Sequence, residues 1–207
     1  MEMALGFSTE TSSGGSKFLP VIKFDAKAGE FIAINRTPGE TTGTWDKEEV
    51  EVALPTKVVI DMAGLEVGWI SFAPSYSCVM VQAGEKLPPQ PSADHKHSVR
   101  IKMFFKEHGL REMTPTSKTV LRAVDQLHDA YLAGAAKNPG KMPVVTIHGT
   151  ETKKVPTPQG ELRFKVPKWE ITGWTEAPTA FSGQEEKPAP KPKAKSAPVE
   201  EEGLDEF

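Results

Sequence analysis

Cations and aromatic rings share two short stretches of this chain. Ser98–Lys106 reads SVRIKMFFK, and strand alternation puts Val99, Ile101, Met103 and Phe105 on one face and Arg100, Lys102, Phe104 and Lys106 on the other. Glu161–Trp174 reads ELRFKVPKWEITGW and carries Arg163, Phe164, Lys165, Lys168, Trp169 and Trp174 within a dozen or so residues. Cations can track phosphates while an aromatic face receives an unstacked base, a contact that contributes about 1–3 kcal/mol per base whatever the base is. Trp169 beside Lys168 is the preferred stacking position, Trp69 and Tyr76 belong to the same pool, and Lys153-Lys154 adds charge in the connection before the last strand. The bland alternatives stand beside each. Phe104 is a ring covered by a loop, Trp174 is core, and any one lysine is solvated, since large aromatics at single positions are more often core than platforms.

Catalytic patterns are weaker. His95 and His97 in ADHKHS have His-x-His spacing that suits a metal, with Asp94 near, but no cysteine or further histidine completes a set. Glu48, Glu49 and Glu51 read as a solvated face. No phosphate-loop, dinucleotide or nucleophile-elbow glycine pattern is present. The single cysteine, Cys78, lies among apolar residues and reads as a small buried hydrophobe. The expectation is a non-enzyme with no cofactor.

The elements that must position these residues are mostly strands. Phe18–Phe24 and Glu30–Arg36 read as a hairpin, with Pro20 pushing the first strand to an edge. Thr56–Met62 and Glu66–Ala73 form a second, which Ser77–Gln82 extends. Ser98–Lys106 follows a proline-rich loop. One helix starts at Thr116 or Ser117 and carries Val120, Leu121, Val124, Leu127, His128, Tyr131 and Leu132 at helical spacing, ending before Asn138-Pro139-Gly140. Pro143–Gly149 is a strand, residues 150–160 a polar connection, and residues 161–174 one or two strands broken near Pro167. From 56 to 175 the order of strands and helix is that of an OB fold, a five-stranded barrel with its helix between the third and fourth strands. The fold class expected is therefore mainly β, an OB-like five-stranded barrel with one helix and an N-terminal hairpin extension.

Charge divides the chain. It has 25 Lys and Arg against 28 Asp and Glu; five of those acids fall in residues 200–207, which leaves residues 1–199 at +2. From Glu185 the sequence runs through prolines 188, 190, 192 and 198 to Glu200-Glu201-Glu202, then Leu204-Asp205-Glu206-Phe207 after Gly203. Such a composition cannot bury enough apolar surface to offset chain ordering, and reads as an extended acidic arm ending in an aromatic. It serves as bait for a basic partner or as a polyanion mimic; the plain alternative is a solubilising tail. The division expected is a flexible arm over 1–16, a domain over 17–180 and a linker with tail over 181–207. No apolar run approaches the roughly 18 residues of a membrane span, and the first residues lack the pattern of a secretory signal, so a soluble cytoplasmic protein is expected.

The tail, the Pro/Lys/Ala linker and the OB-like order together resemble single-stranded DNA-binding proteins of bacteria and their phages. The likeness is to the phage type, as in short-tailed phages, because Leu204-Asp205-Glu206-Phe207 stands where cellular members usually carry Ile-Pro-Phe. Residues 167–178 (PKWEITGWTEAP) also resemble phage replication or recombination proteins. The resemblance implies sequence-independent binding of single-stranded DNA in replication, recombination or repair, inside a bacterial host cell. It implies recruitment of polymerase, helicase or primase by Glu200, Glu201, Glu202, Leu204, Asp205, Glu206 and Phe207, competition of that tail with DNA, and a possible homodimer. The other reading kept open is an interaction or structural protein without DNA affinity, whose tail docks a basic partner.

Overall fold

A computed structural model describes residues 19–182 except 40, 42 and 159. The expected arm over 1–16 and the tail residues Glu200 to Phe207 lie outside the described residues.

The described residues fold as a mainly β structure with one α-helix. Among them ten strands pair in an open sheet. In chain order they are β1 (Val21–Asp25), β2 (Glu30–Pro38), β3 (Trp45–Glu51), β4 (Thr56–Ile60), β5 (Glu66–Ser71), β6 (Ser77–Gln82), β7 (Lys96–Phe105), β8 (Gly109–Met113), β9 (Met142–Thr157) and β10 (Gly160–Thr175); the helix, α1 (Lys118–Ala135), lies between β8 and β9. The main path runs β10-β9-β4-β7-β8-β1-β2-β3, with β5 and β6 branching from β7. The helix thus follows the eighth strand, and ten strands stand where five with an amino-terminal hairpin were expected.

Three local features account for the difference. Glu48, Glu49 and Glu51, read as a solvated face, are exposed as expected but lie on a strand, β3: Val50 pairs with Ala33, while Asp46 and Lys47 are exposed too. Residues 109–113, absent from the expected elements, return from β7 as β8 and carry the buried Arg111 and Met113. The polar connection at 150–160 is the far half of a long hairpin, in which β9 and β10 stay paired from Met142–Thr175 to Thr157–Gly160.

Alternation on β7 follows the pattern expected from sequence. Val99, Ile101, Met103 and Phe105 are buried, with Met103 fully covered, and they meet Ile22, Phe31, Val58, Ile60, Val145 and Ile147 in one core. Apolar burial of this kind stabilises the fold by roughly 25 cal/mol per Å². α1 closes the core with Val120, Val124 and Leu127 and packs along β10. Gly134 lets that packing close: a Cβ there would stand 2.5 Å from Cζ2 of Trp174. Two irregularities bend the β9–β10 pair, with His148 the extra residue on β9 opposite Lys168 and Trp169, and Thr172 the extra residue on β10 between Ile171 and Gly173, as β-bulges do. The outer part of the β9–β10 hairpin reaches the β1–β2 turn, where the Lys165 amide donates to the Ala26 carbonyl at 2.7 Å. After β10 a short 3-10 helix, Thr179–Ser182, returns to pack against β8. No helix is long and apolar enough to cross a membrane among the described residues.

Candidate nucleic-acid interface

A groove of about 780 Å³ lies between α1 and the bent β9–β10 hairpin. Its floor is apolar: Ala123 and Leu127 from the helix, Val166, Trp169, Ile171 and Trp174 from β10. Its rim is cationic, with Arg122 one turn into α1, Lys153 and Lys154 on β9, and Lys168 on β10. Two carboxylates, Glu151 and Glu170, share the wall. An apolar floor with an aromatic ring and a rim in which cations outnumber carboxylates suits a polyanion with flat apolar groups.

Lys168 and Trp169 both line this groove, beside an irregularity whose extra residue, His148, lies on β9. Trp169 is half-buried and fixed: its indole N–H donates to the Ala123 carbonyl at 3.2 Å. The cations differ in freedom. Lys153 pairs with Glu151 at 2.6 Å and Lys154 with Glu161 at 3.3 Å, all exposed. Arg122 and Lys168 are exposed and have no carboxylate partner among the described residues. Exposed pairs such as Lys153–Glu151 are worth at most about 1 kcal/mol, so an incoming phosphate can displace the carboxylate.

Of the residues singled out from sequence, Lys153, Lys154, Lys168 and Trp169 therefore meet around one groove. The β7 set lies elsewhere. Arg100 is half-buried and held by Glu66 at 2.8 Å and Glu112 at 3.4 Å, with a further bond to Cys78 Sγ at 3.1 Å. Burial works against its charge, but the hydrogen bond that it donates to Glu66 helps to raise its pKa. Lys102 stands opposite Glu112. Phe104 sits in an apolar row across four strands, Val144, Val59, Phe104 and Leu110, all half-buried. Lys106 is exposed in the turn to β8.

The remaining positions are also apart from the groove. Arg163 is exposed and lies 3.3 Å from Glu161. The Lys165 side chain runs against Gly29, whose φ of +85° and missing Cβ let it approach. Trp69 is buried; its indole donates to the Pro88 carbonyl at 2.8 Å, and His97 stacks on it with ring centroids 3.9 Å apart. His95 bonds Ser92 Oγ at 2.8 Å, so the two histidines of ADHKHS serve different contacts. Among the described residues no group of three or more His, Cys, Asp or Glu is placed to hold a metal ion.

Sequence reasoning missed Arg122, which helical spacing puts two residues after Val120 and thus off the buried stripe. It also missed Phe72, which is 63% exposed and stands 6.0 Å from the Tyr76 ring at the β5–β6 turn. Two aromatics flanking a proline and serines were the available signal there.

Compared with protein-family models, curated proteins and solved structures, the chain shows no match in any of the three.

Proposed function

We propose that this protein binds single-stranded DNA without sequence preference, through the groove between α1 and the β9–β10 hairpin. The observation that carries the reading is the convergence of Arg122, Lys153, Lys154 and Lys168 around the Trp169 ring. Cations on three elements neutralise successive phosphates, and the floor takes the bases. The role is non-catalytic. The strand order from β4 onward keeps an OB-like core as the proposed relationship, with β3, β6 and β8 as additions to it. The acidic stretch from Glu200 to Phe207 is proposed to recruit replication proteins such as polymerase, helicase or primase, and to compete with DNA for the same cations.

Tryptophan fluorescence during titration with oligo(dT), at low and high salt, tests this. Quenching that weakens with salt supports the reading, because neutralised phosphates release counterions. Loss of that quenching in Lys168→Glu would tie it to the groove. Absence of both quenching and gel shift at low salt would remove it.

A second reading has its own support: Arg100, Lys153, Lys154 and Arg163 are all paired with carboxylates. A surface that neutralises its own cations suits a protein partner, with the acidic stretch docking a basic one. Flow-through on single-stranded DNA cellulose in low salt would favour it.

A further inference from the structure

A second hollow, of about 390 Å³, opens beside the first turn of α1. Its walls include Val21 and Phe24 of β1, Ile34 of β2, Met113 of β8, Val120 of α1 and Phe72 just after β5. Lys23 is the one charged residue on this lining among the described residues. Phe72 belongs to the wall and is still 63% exposed, and Tyr76, 6.0 Å from its ring, is 52% exposed. Rings this open beside an apolar hollow leave contiguous apolar surface in water, which a covering segment would remove.

The chain itself supplies such a segment. It enters β1 at Pro20, whose carbonyl accepts the Glu112 amide N–H at 2.9 Å, and the next residue, Val21, is already wall. Upstream, outside the described residues, Met1, Met3, Leu5 and Phe7 alternate with Glu2, Ala4 and Gly6. Period two puts those large apolar side chains on one face of an extended segment. Residues 8–17 follow, ten positions without a large apolar side chain. A spacer of that length reaches about 35 Å at most, enough to turn back from Pro20 to the hollow. Residues 183–207, also outside the described residues, fit less well. Their large apolar side chains are Val199, Leu204 and Phe207, with five acids in the last eight positions. An apolar lining with one lysine gives those carboxylates little to replace their water.

We infer that residues 1–7 dock in this hollow of their own chain, with Leu5 and Phe7 inside it and Phe7 against Phe72. Tethering makes the contact intramolecular, at an effective concentration of about a millimolar, so a modest apolar contact suffices. A cavity of about 150 Å³ holds a benzene ring, so about 390 Å³ has room for both side chains. The docked segment covers Val21 and Phe72 and braces β1 against the β5–β6 turn. The inference concerns a surface other than the groove and stands apart from the nucleic-acid reading.

Amide hydrogen exchange on the full chain tests it, together with photo-crosslinking of the Phe7→benzoylphenylalanine variant. A segment docked about nine-tenths of the time exchanges its amides about tenfold more slowly than an open one. Residues 4–7 are expected to show that slowing in wild type and to lose it in Leu5→Asp/Phe7→Asp and in Phe72→Ala. Crosslinks are expected within one chain, to Phe24, Phe72 or Met113. Exchange at residues 4–7 as fast in wild type as in the Asp variant would overturn the inference. So would crosslinks that are absent, that map outside the hollow, or that join two chains in a mixture of light and isotope-labelled protein. Should a variant fail to fold, wild-type exchange and the crosslink map still decide.

Discussion

The indole N–H of Trp169 points at the Ala123 carbonyl, 3.2 Å away, and so joins β10 to the middle of α1 across the groove floor. The ring is therefore held in a fixed plane rather than free to swing. Trp169→Phe keeps most of the packing and loses the bond, at a cost of about 1 kcal/mol. Trp169→Ala also empties part of the floor and costs roughly 2–4 kcal/mol. Urea denaturation separates the two. If Trp169 is the stacking ring, the Phe variant keeps oligo(dT) affinity within a few fold but loses most of the fluorescence quenching. Quenching of undiminished size would assign it to another tryptophan.

Lys168 offers the cleanest electrostatic test, because it lines the groove and has no carboxylate partner among the described residues. Its replacement by Ala is expected to reduce the salt slope of oligo(dT) binding by about one contact, with unchanged stability. Lys153→Ala should act less strongly, since Glu151 already neutralises Lys153 at 2.6 Å. Binding isotherms at three salt concentrations read both slopes. Equal slopes in wild type and Lys168→Ala would exclude a phosphate contact there.

How far the sequence led can be judged from three residues. Met103 was assigned to the core face of its strand by period-two alternation, and it is fully buried. Alternation works there because β7 is regular and has a partner on either side. Trp169 is singled out for its neighbour Lys168, but the groove that both line is built by α1 and the hairpin together, and no period within one segment records it. Arg100 looked like an available cation. Its partner Glu66 is 34 positions away, and only the β5–β7 register brings the two opposite each other. Strand faces are local properties, whereas ion pairs and grooves depend on pairings between distant segments. β3 was missed for a related reason: an edge strand with charges on an exposed face lacks the apolar alternation by which strands are recognised.

Glu112 sets a pH dependence. It is half-buried, and burial pushes its pKa above the usual carboxylate value despite the opposing pull of Arg100. The folded state then holds a proton that the unfolded state has released. Stability from this group is greatest at low pH and declines as pH rises through the raised pKa. Asp25 and Glu49 act in the opposite sense, Asp25 through hydrogen bonds donated by the backbone N–H groups of Ala28 and Lys27 and Glu49 through Lys47; their contributions are present above the usual carboxylate range and fade as pH falls. Glu112→Gln is therefore expected to show a flatter stability profile than wild type from about pH 4.5 upward. Urea midpoints at half-unit pH steps would show it. Parallel profiles would mean that Arg100 cancels the burial effect.

Gly134 decides a contest between two effects. An exposed helical glycine replaced by alanine normally gains about 1 kcal/mol. Here the new Cβ meets Trp174 Cζ2 at 2.5 Å, against a rigid ring that Tyr131 flanks with centroids 5.8 Å apart. Overpacking of this kind costs about 1–3 kcal/mol, so Gly134→Ala is expected to destabilise. A rise in thermal midpoint would show that α1 can shift away from β10.

Arg111 is 5% exposed, and its four hydrogen bonds all end on neutral oxygens. It donates to the carbonyls of His108 at 2.9 Å, Ile34 at 3.1 Å and Val21 at 3.5 Å, and to Asn35 Oδ1 at 2.6 Å. Burial lowers its pKa, which marks the cost of keeping the charge there. Asn35 in turn donates to Glu48 at 3.0 Å, so a carboxylate acts on the guanidinium through one intermediary. This fan ties β8 to β1 and β2; the ladder itself joins β8 to β1 by one parallel pair, Val21 with Glu112. Lysine reaches fewer acceptors and would leave buried carbonyls without donors, so Arg111→Lys should cost roughly 2–4 kcal/mol. Asn35→Ala removes one acceptor of the four and should cost less. Urea denaturation ranks the two, and amide exchange should quicken first in β1 and β2. A neutral Arg111→Lys would mean that β1 and β2 are held by the core contacts of Ile22 and Phe31 alone.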